Sequence, residues 1–244
     1  MLRSIDELDK GFRATAKKSK KECGKVLEEL RKATFFSGLF FKVYYTCLKK
    51  HKEKYGAWGT ALHHACLLDL FKISGHVLFL SYNGLYRNAF DNIRYALESI
   101  VQALYIDIRH PKTPLAVKIE IWKEVEDKRE YHASHIISEL KPLEHKDVLL
   151  KEYKELSGII HPSHKQVITL MHEIKSTKKM ATSVDCEEIA KIRSSVLRMY
   201  DIFFFLVTNY FPELKEPLKK DTDFIRGIKS YELYLLSKAL DIKL

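Results

Sequence analysis

Glycine and proline are scarce in this chain, 9 and 6 among 244 residues. Turn-rich all-β folds need more of both, so their shortage points to long helices with few breaks. Cysteine is sparse too. Cys23, Cys47, Cys66 and Cys186 sit at no spacing that makes a zinc knuckle or a redox pair. With no secretory leader pattern ahead of them, a reducing, cytoplasmic setting is expected. Long uncharged apolar runs are missing as well. The stretch from Thr34 to Leu48 is interrupted by Lys42 and falls short of the ~18 residues of a membrane helix, so no membrane span is expected. There is no P-loop, no Gly-x-Gly-x-x-Gly and no Gly-x-Ser-x-Gly, which removes the common nucleotide-binding and hydrolase readings. Glu-x-x-His is also absent, so neither a ferritin-like di-metal bundle nor a zincin fits, and no metal and no cofactor are expected.

What is present is apolar residue in helical rhythm and an excess of positive charge. Hydrophobic residues make up 46% of the chain, enough to bury a substantial core. The net charge of +10 suits a polyanion such as RNA, and equally suits a lysine-coated soluble helical surface. Ile5, Leu8, Phe12, Ala16, Cys23, Val26, Leu27 and Leu30 recur at steps of three and four, with Lys17, Lys18, Lys20 and Lys21 opposite. Further helices are expected over about 35–55, 57–82, 85–109, 113–140, 146–160, from Asp185 to about Phe211, and 224–240. Asn83-Gly84 supplies a turn, and Asp185 with Glu188 a capping box. The expectation is an all-α fold, a single bundle of about seven to eight helices. It divides into an N-terminal helical hairpin (1–56), a helical core (57–211) and a C-terminal helix (212–244).

Three constellations could carry chemistry. Arg87, Asp91, Arg94 and Glu98 fall on one stripe of the fourth helix, either a solvated face of i,i+4 pairs or a polar seam in which Arg94 holds a phosphate with its planar fork. Tyr153, Ser157 and His161 are spaced four apart, and His164 follows the break at Pro162. Two histidines flanking a helix break can serve as acid and base in phosphoryl chemistry, or can satisfy loose backbone groups. His132 and His135 share a face with Arg129 nearby. The adjacent His63 and His64 point about 100° apart and make a poor chelating pair. Aromatic clusters such as Phe35, Phe36, Phe40, Phe41 and Phe203–Phe205 read as core or dimer interface.

A Gly-ended helix leading to Arg94-x-x-x-Glu98, followed by Tyr153-x-x-x-Ser157-x-x-x-His161-Pro162-Ser163, resembles uncharacterised bacterial and archaeal helical proteins similar to the HEPN superfamily (higher eukaryote and prokaryote nucleotide-binding), over roughly residues 60 to 210. The resemblance implies a helical bundle, a homodimer, and in many relatives a metal-independent ribonuclease of a toxin–antitoxin or defence system with an antitoxin or defence partner. Its active-site pattern is an Arg followed four to six residues later by His. Here no Arg lies at that distance before His161. Lys154 is the nearest upstream base, and Arg129 to His135 is the one formal match, with Glu130 after the arginine. In this reading Arg94 and Lys154 bind phosphate, Glu98 orients Arg94, Tyr153 and Ser157 hold the histidines, and His161 and His164 are acid and base. Two alternatives stand beside it. One is a non-catalytic interaction scaffold whose buried polar hub is structural, so that Arg94→Ala strands Glu98 and costs about 2–4 kcal/mol. The other is a small-ligand or nucleotide pocket within the bundle.

Overall fold

A computed structural model describes residues 5–50, 61–126, 133–140, 146–160 and 184–244. Among these the chain is helical, with no strand. In order come α1 (Ile5–Lys50), α2 (Leu62–Tyr82), α3 (Tyr86–Arg109), α4 (Leu115–Glu126), α5 (Ala133–Glu139), α6 (Lys146–Ile160) and α7 (Cys186–Tyr210). A 3-10 turn (Pro212–Leu214) precedes α8 (Lys215–Lys220), α9 (Thr222–Tyr231) and α10 (Tyr234–Ala239). The all-α bundle is as the composition indicates, but ten α-helices among the described residues exceed the seven to eight expected.

The differences have local causes. The two helices expected before residue 55 run on as one, because the apolar stripe continues through Leu27, Leu30, Ala33, Phe36 and Phe40, all buried, across a kink at Cys23 (φ −118°, ψ 22°). The single C-terminal helix divides because Glu232 takes a left-handed conformation (φ 53°) and closes α9. The expected fifth helix is divided between α4 and α5, with residues 127–132 outside the described ones. The break at Pro162 and the loop placed at Ser176 to Ser183 also lie outside them. α6 is as read, and Asp185 caps α7, but the reciprocal half of the capping box is absent: the Asp185 backbone N–H donates to the Tyr86 hydroxyl and the Glu188 carboxylate accepts from Lys191. The Asp185 carboxylate accepts from the backbone N–H groups of Glu187 and Glu188.

α7 is the centre. Phe203, Phe204 and Phe205 are all fully buried, and the helix packs on α1, α3, α6 and α10. Three successive phenylalanines point different ways around a helix, so their joint burial requires neighbours on every side. Phe40 stacks on Phe204 at 4.0 Å and Phe36 on Phe224 at 5.0 Å. Gly227 is glycine because a Cβ there would enter the Phe36 ring. These rings are core, whereas Phe35 is 60% exposed. α2 and α3 form an antiparallel pair joined at Asn83-Gly84, where Gly84 takes φ 69°. By length and composition alone α2 could cross a membrane, a segment the search for long apolar runs passed over. Its inward face, including Leu67, Leu70, Ile73 and Val77, is buried in the bundle.

Cys23 and Cys186 form a disulfide with Cα atoms 5.3 Å apart, spanning 163 residues. Their spacing gave no sign of it. The bond ties the kink of α1 to the first residue of α7, while Cys47 and Cys66 remain buried thiols. Because the closed loop is long, the cross-link removes much conformational freedom from the unfolded chain. We expect Cys186→Ser to lower stability by about 2–5 kcal/mol, measured by denaturant unfolding beside a thiol count of the wild type. Four titratable thiols in the unreduced, unfolded wild type would contradict the bond.

Candidate functional site

Arg94 and Glu98 of the α3 stripe lie beside Tyr153 of α6. Arg94 Nε donates to Glu98 Oε1 at 2.8 Å. Tyr153 of α6 is buried beside them; burial first, then the nearby Glu98 carboxylate, push its hydroxyl up to about 12, against the pull of Arg94. Tyr153 is therefore a protonated phenol at neutral pH. Arg87 and Asp91 form a looser, exposed pair at 3.4 Å. Lys154 is exposed and Ser157 half-buried on the same helix. α6 ends at Ile160, so His161 and His164 lie outside the described residues, as does Arg129.

The seam is not a buried hub. The side chains of Arg94 and Glu98 keep 42% and 33% of their exposure, so water screens the pair and it contributes about 0–1 kcal/mol. The 2–4 kcal/mol expected for Arg94→Ala under the scaffold reading is corrected accordingly. An exposed guanidinium is also one that a phosphate can reach. The second pattern is engaged otherwise. His135 Nε2 lies 3.2 Å from Glu139, a carboxylate that also accepts from Tyr105 and Arg109.

A hub that sequence reasoning missed lies at the far end of α3. Asp107 Oδ2 accepts from His63 Nδ1 at 2.6 Å and from the His63 backbone N–H at 3.0 Å. Its Oδ1 accepts from Lys118 Nζ at 2.7 Å and from the Leu62 backbone N–H at 3.2 Å. Asp107 thus caps α2 from another helix, where Ala61 has no side chain to do so. A carboxylate only accepts, so Nδ1 of His63 carries a proton, and its Nε2 faces the Tyr44 hydroxyl at 3.1 Å. The His64 ring packs at 4.3 Å from that of His63, and Lys118 is 2% exposed. Burial pushes Asp107 up, but the His63 ring and charge, Lys118 and the His63 amide together outweigh it and hold the group down at about 2. The one signal in the sequence was charge in apolar company: Asp107 between isoleucines, and Lys118 between Val117 and Ile119.

A second buried carboxylate shifts the other way. Asp201 accepts from Leu235 and Leu236 at the start of α10 (2.9 and 2.8 Å), yet burial and the neighbouring Glu152 push it up to about 7. It borders a polar cleft of about 390 Å³ with Glu152, Arg193, Arg198 and Tyr234. Arg198 is held there by Glu155 at 2.9 Å. The Cys66 thiol is pushed up by burial and then by the charges of Asp107 and Asp69, which leaves it inert as a nucleophile. Among the described residues no group of three His, Cys, Asp or Glu side chains is placed to hold a metal ion.

No family model matches this chain, and neither a curated protein nor a solved structure matches it.

The hub carries a stability prediction. Removing the carboxylate by Asp107→Ala takes the acceptor from the His63 ring, from buried Lys118 and from two backbone N–H groups at the start of α2, and should cost about 3–5 kcal/mol, read from chemical denaturation at neutral pH. The sign with pH follows from a depressed carboxyl. The contribution of Asp107 is complete above its unfolded value near 4 and is lost as pH falls through its folded value of about 2. Asp107→Asn should therefore flatten the stability profile in that window. An unchanged acid limb in the variant would show that the carboxylate is not ionised there.

Proposed function

We propose that this chain is an RNA-directed HEPN-like protein that meets the phosphate backbone along the seam between α3 and α6, as a metal-independent ribonuclease in a defence or toxin–antitoxin setting. The observation that carries this reading is the convergence of the reachable Arg94 guanidinium, its orienting partner Glu98 and the protonated Tyr153 on one surface. An oriented guanidinium stabilises a phosphate as its charge builds. In sequence His161 follows Ile160, the last residue of α6, and His161 and His164 take the parts of acid and base. The net charge of +10 supports a polyanionic substrate. Incubating the purified chain with mixed RNA in EDTA tests this. Cleavage should survive chelation, disappear in His161→Ala and fall in Arg94→Ala. RNA bound but left intact would remove the nuclease and keep the binding. No binding at all would leave the scaffold reading, which the saturated Asp107 hub favours because every group in it is engaged in holding helices together.

The reading includes a homodimer. α2 turns Leu68, Phe71 and Phe79 outward at 44%, 52% and 63% exposure, and Tyr95 of α3 lies across a groove of about 350 Å³ that Leu68 also borders. Apolar exposure of this kind suits burial against a second copy. Asp69 and Lys72, one turn apart beside that groove, can pair reciprocally across a two-fold axis. Sedimentation should give twice the 28.6 kDa chain mass, and Phe71→Glu should return it to monomer. A monomeric wild type would contradict the dimer.

A further inference from the structure

α1 carries a second feature, remote in sequence from the seam. Its outward face presents Lys10, Lys17, Lys20, Lys21, Lys25 and Lys32, all exposed. At ~100° per residue Lys10, Lys17, Lys20 and Lys21, all ahead of the kink at Cys23, fall within one arc, opposite the buried Thr15 and Ser19. An ordinary solvated helix face mixes charges that neutralise each other. Elsewhere in this chain that is the rule: Lys123 pairs with Glu120, and Lys191 with Glu187 and Glu188. On α1 the carboxylates of the described side chains are already engaged. Asp9 holds Arg13, Glu22 holds Lys18, Glu28 holds Arg31, and Glu29 holds Arg193 of α7. The six lysines form no ion pair among the described residues. The result is a strip of unpaired positive charge about 17 Å long from Lys10 to Lys21 at 1.5 Å per residue, continued past the kink by Lys25 and by Lys32, whose charge acts on Glu28, on a helix whose kink is fixed to α7 by the Cys23–Cys186 bond.

We infer that the outward face of α1 is a binding surface for the sugar–phosphate backbone of RNA, read without regard to base sequence. Lysines bind phosphate as point charges, release its counterions and tolerate any base order. Phe12 lies on the other side of the helix from Lys10 and Lys17, and Phe35, one turn beyond Lys32, carries Arg31 over its ring, so contact is with phosphate rather than by base stacking along the strip. The geometry disfavours a lipid surface. Membrane-lying helices sink an apolar face into the bilayer, whereas the apolar face of α1 from Cys23 onward is consumed by the core, with Leu27, Leu30 and Ala33 at 0% exposure. The choice of RNA rests on the functional reading above; the existence of the strip does not.

The test is a salt titration of fluorescent single-stranded RNA binding, comparing the full chain with the triple variant Lys17→Gln/Lys20→Gln/Lys21→Gln. These side chains are exposed and unpaired, so the helical signal and melting temperature should stay the same. Between about 50 and 200 mM salt the slope of log affinity against log salt should become shallower by about 2, with roughly ten-fold weaker binding near 100 mM. Equal slope and affinity in the two proteins would overturn the inference. If binding persists in the triple variant and is lost in Arg94→Ala, the α1 surface is wrong and the seam survives. If the wild type binds no RNA, both fall. Binding to anionic vesicles that the triple variant loses, without RNA binding, would assign the face to lipid and overturn the inference.

Discussion

The Asp107 carboxylate is the point on which the first half of the bundle depends. Two oxygens receive four donors: two backbone N–H groups that open α2, the ring of His63, and the buried ammonium of Lys118 on α4. Each group alone would be costly to bury. Together they satisfy one another, and three helices are fixed in register at their ends. The α2–α3 pair then presents a continuous wall of Leu67, Leu70, Ile93, Leu97 and Ile100, and the phenylalanines of α7 fill the space between that wall and α1. Removal of the carboxylate changes the start of one helix, a partner of a buried lysine and the Nδ1 partner of a buried histidine at once.

That arrangement also separates structure from chemistry. The groups with saturated partners lie at the Asp107 end of α3, while the groups with capacity to spare lie near its start and on α1. Arg94 uses one guanidinium nitrogen on Glu98 and remains exposed, and Lys10, Lys17, Lys20 and Lys21 of α1 form no ion pair among the described residues. A buried and neutralised cluster holds helices; an exposed and uncompensated one attracts a charged partner. The Asp201 carboxylate stands between these cases. It caps α10 and borders a cleft, and burial pushes it up to about 7, so it exchanges a proton near neutral pH while Asp107 does not.

Much of the architecture was legible because helix period and punctuation are local. Asn83-Gly84, the Asp185 cap and the span of α6 follow from neighbouring residues, and so does the Arg94–Glu98 pair, which is an i,i+4 contact. What escaped the sequence is long-range. The Cys23–Cys186 bond spans 163 residues. His63 and Asp107 are 44 positions apart, and nothing in the His63-His64 doublet names a carboxylate at the far end of the next helix. The helix count differed for local reasons of another kind. A left-handed Glu232 is unusual for a residue with a Cβ, and Gly24, which follows the bend at Cys23, sits inside an unbroken apolar rhythm and so did not mark a break. The proximity of Tyr153 to Glu98, 55 positions apart in sequence, is likewise a matter of packing, with the one buried and the other partly exposed.

The most direct measurement is melting temperature and RNA affinity taken side by side on Asp107→Asn and Arg94→Ala. The expected result is a crossed pattern. Asp107→Asn lowers the melting temperature and leaves RNA affinity at saturating fold unchanged, while Arg94→Ala leaves the melting temperature in place and weakens RNA binding. If the two properties fall together in both variants, the hub and the seam are one unit, and the separation of a structural end from a functional end of α3 is wrong.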